Sequence, residues 1–163
     1  MVGKSTVALR NSGCSGNIID VFVLAANGIN DLQTASSDLK YQISQMLNTV
    51  KTFNTFVCIK DGNIIYVDVS VELTMNKFYA KMQDEISTKI TNSINQFFDL
   101  NNWDYGESLK DTDIVMALSN IKELSQIFVN FTTNDPLNMG SLVSTSYYQI
   151  IRPENITLSF TFE

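Results

Sequence analysis

The chain has 163 residues, 44% of them hydrophobic and 17% charged, with a net charge of −6. A chain near this size makes one domain or two small lobes and buries roughly 70% of the surface its unfolded form exposes, so it needs no staples. Its eleven Lys and Arg are scattered, leaving no basic run for a nucleic-acid backbone or an anionic membrane to grip, and no apolar run nears the roughly eighteen residues that span a bilayer.

Met1 to Arg10 lacks the long apolar core of a secretory leader, so the expectation is cytosolic folding with free thiols at Cys14 and Cys58. The acceptor patterns at Asn130 and Asn155 then carry no glycan. Ser5 to Arg10 reads as a short strand, and Asn11 to Asn17 as a cluster of turn formers. Ile18 to Ala26 is almost continuously apolar, the mark of a strand covered on both faces. Asn27 to Thr34 reads as a loop. Ser36, Ser37 and Asp38 offer an N-cap and an acidic first turn to a helix whose apolar face is Leu39, Ile43, Met46, Leu47 and Val50. Thr55 to Lys60 is a further strand, and Asp61-Gly62 predicts a type I′ hairpin with positive φ.

Ile65, Val67, Val69, Val71, Leu73 and Met75 alternate with polar residues, so this strand has a dry face and a wet one. Phe78, Met82, Ile86, Ile90, Ile94 and Phe97 trace the stripe of one long helix. Asn101 to Leu109 is a loop. Asp111, Thr112 and Asp113 cap a short helix with Ile114, Val115, Leu118 and Ile121 inward. A strand through Ile127, Val129 and Phe131, a loop from Asn134 to Ser146, and a last strand with Ile156, Leu158, Phe160 and Phe162 on one face complete the chain. Ile18-Ile19-x-Val21-x-Val23 echoes Ile64-Ile65-x-Val67-x-Val69. The predicted class is α+β, with mixed or antiparallel sheets in two small strand–helix–strand lobes of ferredoxin-like character. They cover residues 1–62 (β-β-α-β) and 63–163 (β-α-α-β-β), or one continuous unit.

There is no histidine, which removes the usual general base near neutral pH and the usual zinc ligand. Gly3-Lys4-Ser5 lacks the first glycine and the strand-to-helix setting of a phosphate loop. Gly13-Cys14-Ser15-Gly16 lacks the spacing of a nucleophile elbow and reads as a β-turn. Two cysteines are too few for a metal site. Asp20 and Asp68 hold matching positions in the echoed strands and are expected on solvated outward faces. Asp111 and Asp113 read as helix caps. The expectation is therefore no catalytic residue, no metal and no cofactor. Trp103, Tyr105, Tyr147 and Tyr148 lie in or beside loops. There they either anchor a partner at small entropy cost or pack over the ends of their own core. The last strand, with Phe160 and Phe162, is the candidate free sheet edge that a neighbour could extend.

Several of these stretches, in this order, resemble the C-terminal half of the J-like baseplate proteins of contractile phage tails and related injection machines. Ile19 to Ala25 resembles the family's strand before its first helix, and Leu39 to Lys51 that helix. Ile65 to Val71 resembles the alternating strand with its internal Asp, and Ile86 to Leu100 the helix that follows. Gly106 to Ile114 resembles the step to a helix and a strand, with Thr112 where serine is common. The likeness covers residues 5 to 131. The family's larger N-terminal region has no counterpart, which marks a fragment or a reduced version, and neither does Asn134 to Arg152. The resemblance implies a structural virion protein of the baseplate wedge, assembled in the host cytoplasm. Its partners would be copies of itself and other baseplate proteins, and it would have no catalytic residues, no cofactor, and no nucleic-acid or membrane ligand. The alternative is a ligand-sensing or regulatory α+β binding module.

Overall fold

A computed structural model describes residues 1–11, 17–134, 138 and 140–163. The turn predicted at Gly13 to Gly16, with Cys14, lies outside these residues, as does most of Asn134-Asp135-Pro136. The class is α+β, with mixed and antiparallel sheets. The chain divides into two compact units. The first comprises residues 1–64, 104–106 and 146–150, and the second residues 65–103, 107–145 and 151–163.

In the first unit β1 (Val2–Asn11) pairs antiparallel with β2 (Asn17–Ala26), with Val7 opposite Val21 and Leu9 opposite Ile19. On its other side β2 pairs in parallel with β4 (Thr55–Asp61) and, at its end, antiparallel with β3 (Leu32–Thr34). The β3 segment was expected to be loop. It is drawn onto the sheet because Leu32 is buried and the Asp31 side chain accepts its N–H at 2.7 Å. Helix α1 (Ser37–Val50) begins at Ser36, whose Oγ accepts the Leu39 N–H at 3.3 Å. Leu39, Ile43 and Leu47 pack on Val21, Val23, Ala25 and Ala35, while Met46 and Val50 of the predicted stripe remain exposed. The stripe is wider than the sheet beneath it can cover.

The Asp61-Gly62 hairpin does not form. Strand β4 stays with β2, and β5 (Asn63–Met75) pairs with β7 (Leu124–Thr133) and β9 (Gln149–Phe162) instead. Gly62 extends the β4 ladder by donating to the Val23 carbonyl at 3.2 Å. It is glycine because a Cβ there would overlap the Tyr105 ring, which stands against it.

In the second unit β5 and β7 are antiparallel, with Val69 opposite Phe131 and Val71 opposite Val129. On the other flank of β5, Asn155 donates to Asp68, Ser159 Oγ to the Val71 carbonyl, and the Glu163 N–H to the Met75 carbonyl. These partners ascend together, so β9 runs parallel to β5. Val67, Val69, Val71, Leu73 and Met75 are all buried, as the alternation requires. Against them lie α2 (Gln83–Phe97), through Ile86, Ile90 and Ile94, and α3 (Asp111–Leu118), through Ile114 and Leu118. A two-residue pair, β6 (Leu109–Lys110) with β8 (Leu142–Val143), closes the unit where part of a loop was expected.

The long helix predicted from Phe78 is shorter. Lys77–Met82 forms a 3-10 turn, and Phe78 is exposed. Asn76 sets this tighter winding, because its Oδ1 accepts from Phe78 N and its carbonyl from Tyr79 N, both at 2.9 Å. The α-helix starts where Asp84 and Glu85 supply acid to its first turn.

Candidate interaction surface

Strand β1 stands at one end of its sheet, with no strand beyond it among the described residues. A ten-residue free edge is long, and edges of that length invite strand addition unless something blunts them. Directly opposed residues of an antiparallel pair share a face, so Val7 and Leu9 lie on the same side of the sheet as Val21 and Ile19, the side that α1 covers. The helix does not reach over them, and Val7 is 65% and Leu9 69% exposed. Between the end of α1 and the sheet runs an apolar groove of about 390 Å³, lined by Val7, Ile19, Val21, Leu47, Val50 and Val57, with Lys51 at its rim. Lys51 makes no ion pair with a described residue; its Nζ stands 6.0 Å from the Phe56 ring centre. Sequence reading missed Val7, Leu9 and Lys51. The apolar alternation of β1 was a signal for a strand, but nothing local marks a strand as an outer one.

The opposite face of this sheet carries Asp20, which is 4% exposed rather than solvated as expected. Arg10 reaches it from β1 with two hydrogen bonds of 3.1 and 3.0 Å, and Lys60 from β4 at 3.0 Å. The cations come from the two strands that flank β2, so the carboxylate ties three strands together. The hydrogen bond from Lys60 holds the Asp20 carboxyl below the ordinary carboxylate range. Burial works against that shift, and Arg10 adds to it. Asp68, its counterpart in the echo, is half-buried and accepts from Asn155 at 2.7 Å.

Phe22 stacks on Tyr148, with ring centres 5.6 Å apart, and meets Tyr147 edge-on at 5.7 Å. Tyr147 remains largely exposed, whereas Tyr148 is half-buried. Tyr105 packs on Gly62, and its buried hydroxyl has no hydrogen-bond partner among the described residues. Burial first, and the charge of Asp61 second, push its pKa up to about 12. Lys4 of the Gly3-Lys4-Ser5 stretch is in β1 and pairs with Asp104 at 2.7 Å.

In the second unit Trp103 is buried. It donates from Nε1 to the Phe97 carbonyl at 2.9 Å and stacks on Phe98. It packs over its own core. Phe160 and Phe162 are half-buried against the same core, on a strand that forms the sheet's edge in the order β7-β5-β9. Asp113 accepts from Lys110 N and Asp111 from Thr112 N, which is capping. Hollows of about 440 Å³ beside Trp103 and about 340 Å³ beside Gln96 are open to solvent and lined by no cluster of ionisable groups. Among the described residues no group of three or more His, Cys, Asp or Glu could hold a metal ion. Among the described residues no helix is long and apolar enough to cross a membrane.

No protein-family model matches the chain, and no curated protein sequence matches it. A solved structure does. The fold is similar to that of a chain in the 6-fold symmetrised cryo-EM structure of the anti-feeding prophage baseplate, with a TM-score of 0.56 and 9% sequence identity. The match covers 90% of this chain and 31% of that one. The chain thus spans about a third of the length of this neighbour, and the likeness at such identity is one of fold.

Proposed function

We propose that this chain is a structural subunit of a contractile-tail baseplate, of the wedge type the sequence resembles, and that it works through protein–protein contacts rather than through chemistry. One observation carries the reading: nine-tenths of the chain shares its fold with part of a baseplate chain. The sequence order of strands and helices suggested the same class of machine independently of that likeness. The surface is consistent with the role. Edge strand β1 leaves Val7 and Leu9 uncovered beside an apolar groove, and a single chain gains nothing from keeping that area wet. Assembly into a particle would bury it and recover roughly 25 cal/mol for each Å² of apolar surface removed from water.

In this reading the partners are other baseplate proteins and further copies of the chain, and the site of action is the tail baseplate of a phage-like particle. The test is affinity capture of the full chain from its native source, followed by mass spectrometry. Tail-structural proteins recovered in a fixed ratio support the role. Recovery of the chain alone, carrying a bound small molecule, would replace it with the ligand-sensing alternative.

A further inference from the structure

We infer that the free edge of β1 joins the free edge of β9 in a second copy of the chain, so that copies add head to tail. The inference rests on the assembly role above and adds which surfaces meet.

Among the described residues both strands end their sheets. In β9 the Glu163 N–H donates to the Met75 carbonyl and the Glu163 carbonyl accepts from Lys77, so Glu163 turns both groups toward the β5 side. Backbone groups alternate along a parallel strand, so those of Leu158, Phe160 and Phe162 turn to the open side, where no described strand meets them. Pro153, tolerated in strands chiefly at an edge, is in the same strand.

The side chains also match. β1 offers Val7 and Leu9 as an uncovered apolar row, and β9 offers Phe160 and Phe162 half-covered. Joining the edges would continue one apolar layer into the other.

Charge selects the pairing. The first unit holds five Lys or Arg and five Asp, and the second holds six Lys or Arg and twelve Asp or Glu, so the net charge of −6 falls wholly on the second. Within Val2–Asn11 the charged residues are Lys4, matched by Asp104, and Arg10, which shares the single carboxylate of Asp20 with Lys60, so one positive charge is left over there and Lys51 at the groove adds another. Glu154 and Glu163 mark the ends of the β9 edge. Pairing β1 with β1 would set cations against cations, and pairing β9 with β9 carboxylates against carboxylates. The contact between unlike edges is the one electrostatics favours. Such a heterologous contact propagates to a ring or a filament.

The experiment measures the mass of the full chain by analytical ultracentrifugation over a concentration series. Val7→Lys with Leu9→Lys alters only exposed side chains, so its fold is retained, as circular dichroism would verify. Wild type should associate, and this variant should associate at least about tenfold more weakly, the effect of losing about 1.4 kcal/mol. Glu154→Lys with Glu163→Lys should weaken association in the same way. An equal mixture of the two variants should form dimers that stop at two, because only one intact β1 and one intact β9 remain to meet. A monomeric wild type at the highest concentration overturns the inference, as does undiminished association of Val7→Lys/Leu9→Lys. A mixture without dimers also overturns it, because an intact β1 edge and an intact β9 edge would then be present together and fail to join. Co-purification with tail proteins stands or falls separately, so failure here is distinguishable from failure of the assembly role.

Discussion

Arg10 meets Asp20 with both ends of its guanidinium, Nε at 3.1 Å from Oδ2 and Nη2 at 3.0 Å from Oδ1, while Lys60 shares Oδ2 at 3.0 Å. The pair spans β1 and β2 at the strand that forms the free edge, so the geometry of that edge depends on a nearly inaccessible carboxylate.

Asp20→Asn should lower the melting temperature at pH 7, because it leaves two cations facing a neutral amide. The pH dependence has a definite sign. The folded-state pKa lies below the ordinary 3.8, so the unfolded chain binds the proton more readily as pH falls. The stability from Asp20 is fully present above pH 3.8 and drains away as pH falls through the folded value. Thermal melts between pH 7 and pH 2 should show wild type and variant converging in acid.

Tyr105→Phe should leave the fold intact and stabilise it by up to about 1 kcal/mol, because it removes a buried hydroxyl that has no partner among the described residues. Wild type should also lose stability as pH rises from about 10, the ordinary tyrosine value, to about 12, where the folded-state hydroxyl ionises. Denaturant titrations across that window should show a downward slope in wild type that the variant lacks.

Gly3→Ala should destabilise the first unit by about 1–3 kcal/mol through overpacking. Its Cβ would lie 2.8 Å from the backbone nitrogen of Ala26 and 2.5 Å from Leu32 Cδ2, at the register shift between Val2 and Lys4. Backbone cannot step aside as a side-chain tip can. Chemical denaturation followed by far-UV circular dichroism measures the loss.

Ile90→Ala should cost about 2–5 kcal/mol, the range for emptying a closed core site. Ile90 is fully inaccessible between Ile86 and Ile94 on the buried face of α2. Urea unfolding monitored by Trp103 fluorescence reports on the same core, since that indole is part of it. A loss below 1 kcal/mol would mean that the core collapses onto the vacancy.

Periodicity explains what was legible. Val67 to Met75 alternate so regularly that the buried face of β5 could be named from the sequence, and Ile86, Ile90 and Ile94 fall one turn apart on the dry side of α2. Local competition explains where the reading slipped. The Asn76 side chain tightens the turn before α2, and Gly62 serves a close approach rather than a reversal. The burial of Asp20 was beyond reach because its partners sit ten residues before it and forty after it; only the parallel pairing of β2 with β4 brings Lys60 alongside. Similarly, the loop position of Trp103 does not disclose that its ring packs on Phe98, and nothing in the residues of β1 says that no described strand lies outside it.

We propose that this chain acts by assembling with baseplate proteins. The most direct test is to isolate intact particles from the native source and locate the chain by tag-directed cryo-EM labelling. The account predicts label at the tail baseplate, in several copies around its axis. Particles without label, with the chain recovered only as a free monomer in the soluble fraction, would contradict it.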